Sequence, residues 1–363
     1  MVKEYGLMYQ IASNKVYLDK KTSYERKKYK NLLILIGLSV LLVLVTIMSI
    51  SIGASSVNSS KVIEVVMSLF NSDYTVSKID EIVVLNIRLS RVFVAIFAGI
   101  ALSNAGLLMQ GIFQNPIVSP YTLGVSNGAA FGAALSIVMG AKLSFLGNYR
   151  VPVFAFIFSV ITMLMVYGVA LVAKNSSKTL VLSGVAIGYL FSAMVSFIKY
   201  VSDSNELPEI VFWMMGGLAG IPWESIVLIA IVVIISVTIM MRFAWDLNVM
   251  SAGEELAISL GVNFNKIKNI SIILSTLMTA VAVAFTGIIG FVGLIAPHIS
   301  RIIIGSDYRY LIPASSLIGA LLLLISDTIA RNIIAPTELP VGIITSFIGV
   351  PFFLYLIIKQ KRG

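Results

Sequence analysis

The chain has 363 residues, is 58% hydrophobic and only 12% charged, has a mean hydropathy of +0.98 and carries a net charge of +9. Soluble domains carry about a quarter charged residues, and buried strands of about 4–8 residues do not account for many apolar runs near twenty, so a large soluble core is excluded and an integral membrane protein is predicted. With no cysteine there are no disulfides, iron–sulfur clusters or thiolate metal sites.

The first element is a basic tail, residues 1–30, carrying Lys3, Lys15, Lys20, Lys21, Arg26, Lys27, Lys28 and Lys30. The uncharged run from Asn31 to Ile52 follows, long enough to cross a hydrocarbon core of roughly 30 Å. About thirty residues precede it, and it exceeds the 7–15 apolar residues of a signal core, so it reads as a retained first helix. Ten spans are predicted, over 31–52, 91–110, 121–141, 151–173, 179–200, 223–242, 269–289, 291–304, 311–330 and 341–358, the eighth short and rich in glycine. Residues 31–359 thus read as one all-α, polytopic domain.

An even number of spans puts both ends on one side. Besides the tail, that side collects Lys174, Lys178, Arg242, Lys266, Lys268, Arg301, Arg309, Lys359, Lys361 and Arg362, which makes eighteen of the 26 basic residues. Short-loop Lys and Arg stay in the cytoplasm. The chain is therefore expected to be a multi-pass protein of the cell membrane with both termini in the cytoplasm, and the net charge is a topology signal that calls for no nucleic-acid partner. Gly53 to Ser90 falls outside and contains VIEVVMSLF, a predicted surface helix; Ser202 to Gly220, also outside, is expected to pack its apolar part at the interface. Phe243 to Lys268 falls inside and contains SAGEELAISLGVN, a short amphipathic helix with Glu254 and Glu255 on one part and Leu256, Ala257, Ile258 and Leu260 as an apolar surface. Ala257 and Gly261 are expected to allow close approach of a soluble partner. The chain has no GxxxxGK[ST] stretch and so does not bind ATP by that route. No nucleophile and base stand at a credible spacing, which disfavours an intramembrane enzyme; no catalytic, cofactor or metal site is predicted.

Gly124, Gly128 and Gly132 form a four-residue stripe, repeated by Gly184 and Gly188 and by Gly99 and Ser103; such stripes let helices approach closely. Between the second and third spans, QGIFQNPIVSP holds Pro116 and Pro120, which disrupt a helix interior, and places a turn at residues 111–120. Irregular backbone is not tolerated against lipid, so Gln110, Gln114, Asn115, Ser126 and Asn127 are candidates to satisfy it. The segment either makes a structural turn or lines or gates a path. Arg88, Arg91 and Arg331 fall outside, against the inside bias, and read either as snorkelling at helix ends or as a docking surface for an acidic partner. Asp327 is a candidate buried tie or functional group. The sole histidine, His298, sits inside near Arg301 and reads as a packing or interface residue.

These stretches resemble the FecCD family, the membrane permeases of ABC importers for iron–siderophore, haem and cobalamin. The resemblance is carried by RLSRVFVAIFAGIALSNAGLLMQGIFQNPIVSPYTLGVSNGAAFGA, LVLSGVAIGYLFSAMVSF, FWMMGGLAG, SAGEELAISLGVN, GIIGFVGLIAPHISRIIIGSD and ELPVGIITSFIGVPFFLYLI, over roughly Ser51 to Lys359. Ser90 stands where the family has a proline. The resemblance implies ten helices per subunit and two permease subunits, identical or paralogous, around a path lined mainly by span five and its neighbours. It also implies two cytoplasmic ATPases, which hold the ATP and Mg²⁺, and an external binding protein. Arg88, Arg91 and Arg331 then fall on the positions that meet acidic residues of the binding protein. The segment 251–262, with Ser251, Gly253, Glu254, Glu255, Ala257, Leu260 and Gly261, falls on the region that seats in the ATPase. His298 and Arg301 lie near that inner surface. The implied cargo is iron(III)–siderophore, with haem or cobalamin as alternatives; a secondary transporter or channel independent of ATP is the alternative mechanism.

Overall fold

The computed structural model describes residues 2–53, 59–68, 76–173 and 177–360, and every regular element among them is helical. Lys174, Lys361 and Arg362 of the basic set, and Leu69 and Phe70 of the predicted surface helix, lie outside the described residues.

Helix α1 runs without a break from Val2 to Ser51, because no proline interrupts the basic tail or the apolar run. The tail is thus an extension of the first apolar helix. Helix α2 is Ser59–Ser68. Helix α3, Lys78–Glu81, is capped by the Ser77 hydroxyl, which accepts the Ile79 amide at 3.3 Å. A π-helical stretch, Ile82–Leu89, leads on into α4, Ser90–Phe113. Ser90 continues the helix and donates its hydroxyl to the Asn86 carbonyl at 2.6 Å. Helix α4 stops at Gln114 in the left-handed conformation (φ +48°), two residues before Pro116.

The order then runs α5 (Val125–Met139), α6 (Arg150–Val172), α7 (Ser177–Val201), α8 (Glu206–Met215), α9 (Trp223–Arg242), α10 (Ala244–Met250), α11 (Glu254–Ser259), α12 (Phe264–Thr286), α13 (Val292–Ile304), α14 (Tyr308–Asn332) and α15 (Val341–Gln360). Among the described residues, seven helical stretches are long and apolar enough to cross a membrane, and α5, α13 and the Val341–Tyr355 part of α15 are shorter apolar helices. Each predicted span has its helix. The third shrinks to fifteen residues because Pro120–Leu123 makes a tight 3₁₀ turn. The seventh starts earlier, where the Asn263 side chain accepts the Lys266 amide at 3.0 Å and caps α12.

Helices α4 and α12 are the most buried of the long helices and α1 the least. The glycine stripes decide who touches whom. A Cβ at Gly99 would overlap the Gly319 carbonyl of α14, one at Gly106 the Gly293 carbonyl of α13, and one at Gly132 the Phe154 carbonyl of α6. Gly128 faces Thr162, and Gly184 faces Leu123. Without a strong hydrophobic drive between helices in lipid, such close approach is what holds a bundle together. Polar groups add ties: the Ser275 hydroxyl donates to the Ala105 carbonyl at 3.0 Å, and the Asn104 amide to the Ser316 hydroxyl at 2.7 Å. Around α5, α6 and α7 the interior is aromatic, with Phe131 edge-on to Phe158 at 4.9 Å and tilted on Phe191 at 5.5 Å.

The two ends of the bundle differ. At the terminal end, Lys27 of α1 lies beside Gly305 in the α13–α14 turn. At the far end, Ser49 of α1 meets Thr328 and Arg331 of α14.

One interruption lies inside the bundle. Helix α13 has thirteen residues, which span about 20 Å at 1.5 Å per residue, short of the roughly 30 Å core. Residues 287–291, between α12 and α13, are irregular, with Gly287 at φ +67° and Phe291 at φ +68°. Such backbone needs cover by protein, and it has it. The Gly217 amide donates to the Thr286 carbonyl at 2.8 Å, the Tyr121 hydroxyl donates to the Ile289 carbonyl at 2.8 Å, and Gly216 and Gly342 leave room for the Ile288 carbonyl.

Candidate functional site: a terminal-end surface tied to the bundle

At the terminal end the chain leaves α9, turns through α10 and presents α11. Gly253 (φ +122°) and Gly261 (φ +80°) bracket this six-residue helix in conformations that favour glycine. Glu254 and Glu255 sit in its first turn, where negative charge suits the helix dipole. Ala257 is fully buried in the chain's own core, whereas Leu256, Ile258 and Leu260 are exposed. Contrary to the expectation that Ala257 forms part of the exposed apolar surface, it packs into the chain's own core and seats α11 on the bundle. At Gly261 an added Cβ meets nothing within 4 Å, so within this chain the glycine serves its backbone angle. Ser251 closes α10 by donating to the Asn248 carbonyl at 2.7 Å.

Helix α10 carries the connections. The Gln114 amide donates to the Met250 carbonyl at 3.2 Å and joins α10 to the end of α4. Asn248 donates to Asp307 Oδ1 at 2.9 Å and accepts the Tyr308 amide at 2.8 Å, joining α10 to the start of α14. Asp307 in turn caps α14 by accepting the Arg309 amide at 3.1 Å, and pairs with the Arg309 guanidinium at 2.6 Å. Burial alone would push the Asp307 carboxyl up; the hydrogen bonds from Arg309 and Asn248 outweigh it and hold the group below its ordinary value.

One turn deeper, buried Gln110 accepts from Arg301 at 2.5 Å and donates toward the Gly293 and Leu294 carbonyls at 3.3 and 3.4 Å, linking α4 to α13. His298 packs edge-on to Phe352 of α15 at 6.2 Å.

The residues named as path or gate candidates separate by role. Gln110 is the α4–α13 tie. Asn127 donates to the Gly188 carbonyl at 2.9 Å and joins α5 to α7. Asn115 accepts the Ile117 amide at 3.0 Å and shapes an exposed turn with Pro116. Ser126 is buried. Pro120 is buried and lines a cavity of about 300 Å³ with Leu102, Tyr121, Thr279, Ile289 and Phe291. A second cavity of about 630 Å³, lined by Met214, Met215, Ile288, Ile343 and Phe347, flanks the same irregular segment.

At the far end the three arginines gather in one cluster. Arg91 donates from Nε to Asp327 Oδ1 at 2.7 Å and from Nη1 to Glu338 Oε2 at 2.6 Å. Arg331 Nε pairs with Asp327 Oδ2 at 3.0 Å, and its Nη2 donates to the Ser49 hydroxyl at 2.7 Å. Arg88 donates to the Ile50 and Ser51 carbonyls at 2.9 and 3.4 Å. All three are nearly covered, as is Asp327. They do not snorkel, and their first partners lie within the chain. Sequence reasoning picked out Asp327 as a tie but missed Glu338, Ser49 and Asn248, which meet their partners only once residues tens to hundreds of positions apart are brought together.

The FecCD transport family matches residues 41–359. The chain belongs to this family. It is 42% identical over 353 residues to an ABC transporter permease protein of Methanocaldococcus jannaschii, covering 95% of this chain and 99% of that one. It is 35% identical to the molybdate import system permease of Haemophilus influenzae (91% and 96% covered) and 39% identical to the hemin transport system permease of Yersinia pestis (77% and 80% covered). Its fold is similar to a solved inward-facing metal-chelate type ABC transporter, with a TM-score of 0.77 and 34% identity over 90% of this chain and 99% of the other. This FecCD chain is thus an all-helical ABC importer permease, a class whose ATPase activity resides in separate subunits.

Proposed function

We propose that this FecCD permease imports an iron(III)–siderophore, driven by ATP that a separate cytoplasmic ATPase hydrolyses with Mg²⁺. The observation that carries the reading is α11. Three exposed apolar side chains and two carboxylates form a surface with no cover, and α10 beside it is hydrogen-bonded to the ends of α4 and α14. A partner that moves α11 therefore pulls on spans that reach the far end.

In this reading the ten apolar helices all cross the bilayer, residues 1–30 extend into the cytoplasm, and both termini lie there. A second permease subunit, identical or paralogous, packs against the exposed side of α7. Leu182, Tyr189 and Phe197 of that helix face away from the body and line or border the path. The irregular segment 287–291 and its two cavities adjoin that path. The external binding protein docks at the far end, around Arg88, Arg91 and Arg331. Alternating access follows: ATP binding shifts α11, the two permeases rock, and the cargo passes through distributed weak contacts. This chain supplies no catalytic group and holds no cofactor.

The likeness to a metal-chelate type transporter supports the chelate cargo, while relatives named for molybdate and hemin mark the other outcomes of the test. Vesicles containing permease and ATPase, with binding protein outside and ATP inside, are offered labelled iron(III)–siderophores, haem, cobalamin and molybdate in turn. Accumulation of an iron(III)–siderophore, dependent on ATP, is expected. ATP-dependent uptake of one of the others alone overturns the cargo, and uptake driven by an ion gradient without ATP overturns the mechanism.

A further inference from the structure

Arg91 is held by two carboxylates of opposite character. Asp327 is fully buried, accepts from Nε and also pairs with Arg331, so it is locked between α4 and α14. Glu338 accepts from Nη1 at 2.6 Å, yet its side chain is 45% exposed. It belongs to the α14–α15 connection, where residues 333–338 are all exposed. The connection is anchored beside it by the Leu339 amide on the Ala330 carbonyl at 3.1 Å. The Glu338 carboxylate can therefore swing into water without opening a helix contact. The cluster holds three guanidinium groups and two carboxylates. When Glu338 leaves, the positive surplus grows from one to two, and Arg91 opens toward the far-end surface.

We propose that Glu338 is a displaceable lid on Arg91. In the unliganded chain it occupies the place that an acidic side chain of the binding protein takes on docking. The proposal rests on the docking reading above and adds a competitor to it. A guanidinium fork prefers two carboxylate oxygens in its plane. The intramolecular pair supplies one such contact, and an incoming carboxylate replaces it while Glu338 regains its hydration. Docking is then an exchange of carboxylates on Arg91, and the internal carboxylate sets how tightly the partner holds.

The test titrates the cognate binding protein, loaded with iron(III)–siderophore, against the permease–ATPase complex in lipid nanodiscs. Glu338→Gln replaces the competing carboxylate with a neutral, weaker acceptor and is expected to tighten binding about tenfold, mainly through slower release. Glu224→Gln makes the same charge change in the first turn of α9, also at the far end, and is expected to change binding by less than about twofold. Three buried arginines do not tolerate reversal to glutamate beside Asp327, so docking itself is probed with the charge-balanced pair Arg91→Gln and Asp327→Asn. That pair should weaken binding, and Glu338→Gln added to it should no longer tighten it. Unchanged binding in the balanced pair overturns the docking reading. Weakened binding in the pair, with no tightening from Glu338→Gln alone or equal tightening from Glu224→Gln, overturns the lid and leaves docking standing. If the balanced pair does not yield folded protein, the comparison of Glu338→Gln with Glu224→Gln decides the lid by itself.

Discussion

At the scale of single residues, Asp327 is the group on which the far end depends. It pairs with two guanidinium groups that the fold has nearly removed from solvent. Taking one partner out of a buried ionic cluster costs about 3–5 kcal/mol, because the charge left behind stays desolvated. Asp327→Ala should lower the thermal unfolding midpoint of the purified permease clearly more than Asp80→Ala, which removes only the partner of a half-exposed lysine at 3.0 Å. Equal midpoints would remove Asp327 from its place in the account. Glycine positions give a second contrast. Gly106→Ala sets a Cβ against the Gly293 backbone, whereas Gly168 has nothing within 4 Å. The first substitution is expected to reduce the yield of folded permease and the second to leave it unchanged, as read by detergent-extracted, monodisperse protein.

At the scale of elements, α10 and α11 divide the labour between seating and presenting. Asp307 shows how the seat is held. Its folded-state pKa lies below the ordinary 3.8, so its stabilising contribution is complete above that value and is lost as pH falls through it toward the lower folded value. Asp307→Asn should flatten that acid limb in a stability–pH profile of the permease; an unchanged limb would show that the α14 cap contributes nothing. The same elements show what a sequence makes legible. The long apolar runs gave their helices because the bilayer fixes their length, and the glycine stripes at 124–132 and 184–188 pointed to close helix contacts that the fold contains. The turn after Gln114 was readable from Pro116. The irregular stretch at 287–291 was not legible, and 287–289 read as the end of the seventh span, since the positive φ of Phe291 is imposed by its surroundings: Gly349 on α15 makes room for the ring. Asn248 gave no signal at all, because its partners Asp307 and Tyr308 lie about sixty residues away in the chain.

At the scale of the whole molecule, the account joins two polar ends through an apolar body. The proposed topology, with both termini in the cytoplasm, is read from the charge distribution, and the absence of cysteine makes it simple to test. A membrane-impermeant thiol reagent on intact cells should label Ser59→Cys and spare Ser13→Cys, and the reverse pattern would invert the assignment of inside and outside. The central claim is that work done on α11 reaches the spans through the hydrogen bonds of Gln114 and Asn248. A typical intramolecular hydrogen bond contributes about 1 kcal/mol net, so losing the three that Gln114 and Asn248 make should leave the fold and the ATPase complex intact while loosening the link. The most direct measurement is the number of cargo molecules accumulated per ATP hydrolysed, in vesicles holding the ATPase with either the native permease or the double variant Gln114→Ala, Asn248→Ala. The account predicts that the variant hydrolyses ATP at a near-native rate and accumulates several-fold less cargo per ATP. An unchanged ratio of cargo to ATP would contradict it.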